Sequence, residues 1–287
     1  MLPAKKFWRS KRFQEKYGRI AGYLILTAMS CIFIIPFLWS LSASFKNLQQ
    51  VYAVPHQWIP SPVRWNNYVM IFKLLPLVKF FTNTIYITLL SLVGQIASAA
   101  VVAYAFARLR WFGRDFFFIV LLSTIMLPAQ VTLIPQFLLF KYLGWHDTYN
   151  PLIVPYFLGG GVFNIFLLRQ FFKTIPLELE NAAKIDGCSH LRIFLIIMLP
   201  LAKPALATVT VLSFIRHWND FLQPLIYLQT FDKFPLSLGI NMFKDVYSDL
   251  PHYVMATSML SLIPVLILFF MAQKYFVRGI ILSGIKG

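Results

Sequence analysis

The sequence has few charged residues, and acidic residues are especially scarce. Only 13% of its 287 residues are Asp, Glu, Lys or Arg, whereas ordinary soluble domains contain about 25%. Hydrophobic residues make up 59% of the chain, and its mean hydropathy is +0.69. This composition excludes an ordinary soluble domain and predicts a protein of the lipid bilayer.

The shortage of acids leaves a net charge of +16, from 26 basic and 10 acidic residues. A nucleic-acid-binding surface concentrates its basic residues in one patch or stripe. Here the basic residues lie between apolar runs, as they do in membrane proteins. We therefore expect membrane lipid, and no nucleic acid, as a partner of this chain.

The residue patterns of common catalytic and metal sites are missing. Cys31 and Cys188 have neither metal-site nor redox spacing, and the five histidines form no HExxH cluster. The chain has no GxxxxGK[ST] phosphate loop, and no Lys-Ser or Lys-Thr follows the three glycines at 159–161. We interpret these glycines as a site of helix bending or close helix packing. We predict no catalytic residue, metal or cofactor in this chain.

Six apolar runs are long enough to cross a hydrocarbon core of about 30 Å as helices. The first exceeds the apolar core of a cleavable signal, which has about 7–15 residues. We interpret it as an uncleaved span, although small residues at 42–44 are typical of a cleavage site. Pro128 and Pro135 predict kinks in the third run. The predicted spans are residues 20–43, 80–107, 116–140, 151–168, 204–228 and 253–273.

Basic residues crowd alternate loops, most densely at Arg108, Arg110 and Arg114. By the positive-inside rule these loops face the cytoplasm. Both termini are therefore expected inside, and loop 46–79 outside, with a short interfacial helix near 65–72. The predicted organisation is a cytoplasmic N-terminal segment (1–19), a transmembrane domain (20–275) and a cytoplasmic tail (276–287).

Residues 174–203, which we call the signature loop, separate the fourth and fifth runs. Pro176 suits the first turn of a helix, and Gly187 suits the turn that ends one. A second apolar run ends at Pro200. The pattern predicts a short polar helix, a turn and a second helix. A short polar helix nucleates poorly alone, so we expect it to dock on a partner.

The signature loop resembles a motif of the permease subunits of bacterial ATP-binding-cassette (ABC) importers. That motif reads E-A-A, three residues, G, nine residues and I-x-L-P. Ala182-Ala183, Gly187 and the run Ile197-Met198-Leu199-Pro200 match it in register, and Asn181 replaces its Glu. The resemblance is to the carbohydrate-uptake branch, specifically to subunits similar to the maltose permease G component. It extends to Met126-Leu127-Pro128, Ile134-Pro135, Leu143-Gly144, Trp218-Asn219-Asp220-Phe221 and Tyr275-Phe276-Val277-Arg278-Gly279.

The resemblance implies an all-α membrane protein with six transmembrane helices and the type I ABC importer permease fold, in the bacterial cell membrane. It implies a transport subunit rather than an enzyme. Such a subunit forms, with a second homologous permease, the path of a carbohydrate delivered by an external solute-binding protein. Two cytoplasmic ATPase subunits bind the ATP and Mg. The sequence does not identify the sugar, neutral or acidic.

The resemblance also assigns contact with the ATPase to the signature loop. In the family the Glu of the motif is thought to meet a basic group on the ATPase. Asn181 cannot form that ion pair, and Glu180 lies about 100° around the helix, so it is no simple substitute. The coupling residues expected in this loop are Glu178, Glu180, Asn181, Ala182, Ala183, Asp186, Gly187 and Pro200.

Polar residues interrupt the fifth predicted span, where charges usually face a cavity or a partner. Arg216 and Asp220 are four residues apart, and we expect either a structural ion pair between them or a place on the solute path. The indole of Trp218 suits sugar C–H faces, and the amide of Asn219 suits hydroxyl groups. We include all four residues as candidates for the path.

Two amides in other spans, Asn83 and Gln130, are further path candidates, although most isolated amides in such helices join helices by packing. Other classes of function stay open. A self-sufficient secondary transporter of a small polar solute often has internal repeats, and a membrane enzyme needs converging reactive groups. Neither feature is visible in the sequence. Co-purification of an ATPase and a second permease distinguishes the importer from both.

Overall fold

The computed structural model describes residues 11–245 and 250–283, and side chains within 17–243 and 250–273. The described chain is helical and contains no strand. Residues 1–10 of the predicted N-terminal segment and 284–287 of the predicted tail lie outside it. The first seven helices are α1 (Lys11–Ser44), α2 (Leu48–Tyr52), α3 (Asn66–Leu74), α4 (Leu77–Arg108), α5 (Arg114–Ser123), α6 (Ala129–Tyr142) and α7 (Asn150–Gly159).

The second half of the chain contains shorter helices before a long last one. A π-helical turn at Phe194–Met198 joins α10 to α11, and 3-10 turns lie at Thr124–Met126 and Phe231–Lys233. The remaining helices are α8 (Val162–Thr174), α9 (Leu177–Ile185), α10 (His190–Ile193), α11 (Leu199–Leu201), α12 (Lys203–Trp218), α13 (Leu222–Tyr227), α14 (Leu236–Asp245) and α15 (Pro251–Ser283).

Four described segments are apolar helices long enough to cross a membrane, and two bent helix pairs complete a set of six. The bent pairs are Arg114–Met126 with Ala129–Tyr142, at 99°, and His190–Leu201 with Lys203–Trp218, at 78°. The predicted all-α architecture is confirmed, and the six predicted spans correspond to four single segments and two bent pairs when each pair counts as one span. The four single segments are Tyr17–Ser44, Leu77–Arg108, Asn150–Thr174 and Pro251–Gln273.

The third and fifth spans differ from smooth helices. Pro128 marks the 99° break of the third, whereas Pro135 lies inside α6. The predicted fifth span, 204–228, was wrong at its end because α12 stops at Trp218. The amide of Asn219 donates to the Ile215 carbonyl at 2.8 Å. Such a bond between a side chain and nearby backbone competes with continuation of the helix.

Helix α4 is the central element, because it packs against α7, α8 and α12. The glycine break between α7 and α8 permits this approach. A Cβ on Gly160 would lie 2.5 Å from the Ala99 backbone nitrogen, and Gly160 has φ +56°. The interpretation of residues 159–161 as close helix packing is confirmed. Only glycine fits this close approach and positive φ together.

The loop between α1 and α4 contains a short helix, α3, where the sequence predicts one near 65–72, and its interfacial location stays a prediction. Asp147, between α6 and α7, joins its loop to the loop between α13 and α14. Its carboxylate accepts hydrogen bonds from the Thr230 backbone at 3.0 Å and from Lys233 Nζ at 2.8 Å. Burial raises the pKa of Asp147, but these hydrogen bonds outweigh burial and hold that pKa well below its usual range.

Candidate functional site

The signature loop folds as a helix, a tight turn and a second helix, as the sequence predicts. Helix α9 begins after Pro176, and Gly187 follows its end with φ +77°. The Gly187 amide donates to the Lys184 carbonyl at 3.0 Å, and the Cys188 amide donates to the Ala183 carbonyl at 2.9 Å. These two bonds form a Schellman motif, which requires a left-handed residue at the position of Gly187.

Glu180 faces the interior of the chain and is not on the exposed side of α9. Its side chain is 3% exposed, and its Oε1 lies 2.9 Å from Lys184 Nζ. Its Oε2 lies 3.8 Å from Nε of Arg108, the last residue of α4, which is also 3% exposed. The charge of Glu180 is therefore used inside the chain, and its place among the coupling residues stays a prediction.

Arg108 joins three elements at this point. Its guanidinium donates to the Phe172 carbonyl at 2.6 Å and also to the Ile175 carbonyl, both at the end of α8. Its Nε faces Glu180 on α9. The signature loop is thereby attached to the ends of two membrane helices, α4 and α8, by one buried side chain.

The remaining predicted residues of the loop divide into exposed and buried positions. Ala183 is 6% exposed and packs in the main hydrophobic core. Ile185 (87% exposed) and Leu191 (66% exposed) place large apolar side chains on the loop surface. Exposed apolar side chains that form one patch are typical of an interaction site. The exposed predicted residues are Glu178, Asn181, Ala182, Asp186, Gly187 and Pro200.

Two residues predicted to line the solute path, Trp218 and Asn83, instead contact other parts of the chain. Trp218 is 3% exposed and stacks on Phe214, with ring centroids 5.4 Å apart. Its indole nitrogen donates to the Ser261 carbonyl at 3.0 Å. Asn83 donates to the Phe234 carbonyl at 3.0 Å and to a second carbonyl in the same connection. Both side chains join elements of the chain to one another.

Arg216 and Asp220 do not form an ion pair among the described residues. The predicted structural pair assumed a continuous helix, and α12 ends between the two residues. Asp220 instead accepts a hydrogen bond from the Gln223 backbone at 3.3 Å. Arg216 and Asn219 both have exposed side chains.

Arg216 and Gln130, predicted from separate spans, line the same cavity of about 290 Å³. The cavity lies between α6, α7, α12 and α13, and Gln136, Tyr156 and Gln223 add polar groups to its wall. We call it the first cavity. A charge at the centre of a membrane helix costs at least about 2.5–3.5 kcal/mol, so it usually faces a cavity or a partner. Arg216 faces a cavity.

A second cavity, of about 200 Å³, lies on the other side of Arg216. Its polar lining comes from Gln95, Asn164 and Ser213. Arg216 is common to both cavities. The walls of both cavities are mainly apolar, and we call their polar side chains, with the cationic Arg216 common to both walls, the polar track.

Sequence reasoning missed the buried polar residues beside this track. His217 Nε2 and Gln95 Oε1 are hydrogen-bonded at 2.7 Å, and the Tyr156 ring lies edge-on to His217 at 4.4 Å. Asn164 donates to Ser213 Oγ at 2.9 Å. Polar residues in a membrane helix were the available signal. Only the tertiary structure shows which of them meet.

Residues 99–282 match the model of the binding-protein-dependent transport system inner membrane component. The chain belongs to this family. It is a multi-pass membrane transport subunit, and the matched region includes the signature loop and every lining residue of the first cavity.

Individual relatives cover almost the whole chain. The galactooligosaccharides transport system permease protein GanQ of Bacillus subtilis is 33% identical, covering 95% of this chain and 98% of the relative. The arabinooligosaccharides transport system permease protein AraQ of Halalkalibacterium halodurans is 32% identical, covering 96% and 100%. One chain in the crystal structure of a bacterial ABC transporter involved in import of the acidic polysaccharide alginate is 26% identical, with a TM-score of 0.79, covering 93% and 99%. The resemblance to carbohydrate ABC permeases is confirmed.

Proposed function

We propose that this family member is the permease subunit of an ATP-driven importer of an oligosaccharide or related solute. It forms the membrane path together with a second homologous permease. An external binding protein delivers the solute, and two cytoplasmic ATPase subunits bind ATP and Mg. The observation that carries the proposal is a pair of cavities that both have polar side chains in their walls and share Arg216, in the same chain as an exposed signature loop.

The polar track and the signature loop suit two different roles of such a subunit. The polar track offers amides, hydroxyls and one cation inside a membrane domain, which suits a solute rich in hydroxyl groups. The signature loop offers a small exposed helix with apolar side chains beside it, which suits docking of a protein. Several relatives are transport permeases for arabino- and galactooligosaccharides, which supports a saccharide as the solute.

The proposed orientation places both termini and the signature loop in the cytoplasm of the bacterial cell. The cluster Arg108, Arg110 and Arg114 supports it through the positive-inside rule. A reporter that is active only outside the cytoplasm should be silent when it is fused after Gly287. An active reporter would contradict the placement of the tail and of the signature loop.

Purification of the full-length chain in mild detergent tests the function. We expect a second permease and an ATPase to co-purify. In proteoliposomes with the binding protein, the complex should import a labelled oligosaccharide only when ATP is hydrolysed. Uptake driven by an ion gradient, with no ATPase present, would instead identify a secondary transporter.

A further inference from the structure

The cation shared by the two cavities has no ion-pair or hydrogen-bond partner within contact distance among the described residues. Arg216 is the only charged side chain among the described residues that line either cavity. It forms no ion pair there, and its guanidinium makes no hydrogen bond. A buried or membrane-embedded guanidinium is retained where it binds an anion or a partner, because it offers five fixed donors and cannot lose its charge.

The remaining lining is neutral and suited to a sugar. Gln130, Gln136 and Gln223 provide amide donors and acceptors, and Tyr156 and Tyr227 provide rings and hydroxyls. These groups alone are sufficient to hydrogen-bond a neutral saccharide. Asp220 interacts electrostatically with Arg216 but lines neither cavity, and no other carboxylate of the described chain lies in the wall of either cavity beside Arg216.

We propose that the first cavity binds an acidic saccharide, with the carboxylate of a uronic acid unit held by Arg216. A planar carboxylate accepts two parallel hydrogen bonds from a guanidinium, which gives direction as well as charge balance. The glutamine amides bind the hydroxyls of the same sugar unit. This inference rests on the proposed function and narrows its substrate class.

The size of the cavity sets how much of the solute it holds. Its volume of about 290 Å³ is at the lower end of ligand sites, which span about 300–1,000 Å³. The cavity therefore holds about one sugar unit of a longer chain. The second cavity, which shares Arg216, accepts the next position along the track.

Binding of a saccharide is measured directly on the purified complex. The binding protein is left out, so that its own selectivity does not affect the result. The probes are trigalacturonate and the neutral galactotriose, measured by calorimetry. We expect the acidic probe to bind at least about tenfold more tightly, since hydrogen bonds between charged groups are the stronger ones. Arg216→Gln should remove this difference, and Arg216→Lys should keep part of it. Arg110→Gln, at an exposed arginine outside both cavities, is the matched control and should change neither affinity.

Three results would overturn the inference. Equal affinity for both probes in the unsubstituted complex, or no binding of either, removes the acidic site. A lower yield of assembled complex in Arg216→Gln, with unchanged selectivity, assigns Arg216 to a contact with the second permease. ATP-dependent uptake of an oligosaccharide by a complex that binds both probes equally separates the two ideas, because the proposed function then stands while the acidic site is wrong.

Discussion

Two arginines, Arg108 and Arg216, occupy ends of membrane helices, and their surroundings differ. Arg108 is 3% exposed, caps α8 through two carbonyls and faces the Glu180 carboxylate. Arg216 is exposed to two cavities and has no such partner among the described residues. Within the chain, the charge of Arg108 connects α4 to α8 and α9. The charge of Arg216 is left available to a molecule outside the chain.

The largest expected effect is at Arg108. Removing one partner of a buried ion pair costs about 3–5 kcal/mol, because the other charge remains buried. We expect Arg108→Gln to lower the yield and thermal stability of the complex severely. Arg108→Gln with Glu180→Gln should be less harmful than the single change. Arg110→Gln, at an exposed site, should be near the unsubstituted protein. If the single and double variants unfold at the same temperature, the ion pair between Arg108 and Glu180 does not contribute to stability.

The next effect tests the close packing of the break between α7 and α8 against α4. A methyl group on Gly160 would lie 2.5 Å from the Ala99 nitrogen, where only backbone movement makes space. Such overpacking costs about 1–3 kcal/mol, so Gly160→Ala should lower the unfolding temperature. Gly159→Ala is the matched control, because no atom lies within 4 Å of its added methyl. If both variants melt alike, the close approach of α7 to α4 is wrong.

A smaller stability effect, with a large effect on transport, is expected at Gly187. Nothing lies within 4 Å of an added Cβ, so the cost is the positive φ alone, about 1 kcal/mol. Gly187→Val should leave assembly intact but tilt α9 and impair transport and stimulated ATP hydrolysis. Gly187→Asn tolerates this φ and should retain both. Normal transport by the Val variant would contradict a coupling role for the signature loop.

Local features of the sequence were sufficient to predict most of the fold. Apolar runs predict the spans because burial in lipid requires them, and Gly187 predicts its own turn because few residues tolerate its φ. The burial of Glu180 was not predictable, because it depends on Arg108 at the end of a distant helix. The burial of Trp218 was not predictable either, because its indole nitrogen donates to Ser261 on the distant helix α15. Contacts between distant segments decide which polar residues remain available for a solute.

The smallest effect on stability is expected at Asn181 of the signature loop. Asn181 is exposed on α9, whereas the neighbouring Glu180 is already paired inside the chain. Asn181→Glu should change the unfolding free energy by less than about 0.5 kcal/mol, as exposed substitutions usually do.

The same change should affect partner binding. It restores the carboxylate of the family motif at the surface, so the ATPase should bind more tightly at low salt and lose this gain at high salt. Glu178→Gln on the same exposed helix is the control for a general charge effect. The measurement is ATPase retention during salt washes of the immobilised complex. A gain that persists at high salt, or one that Glu178→Gln abolishes, would show that position 181 does not form the specific ion pair, and the docking of α9 would then depend on its apolar surface.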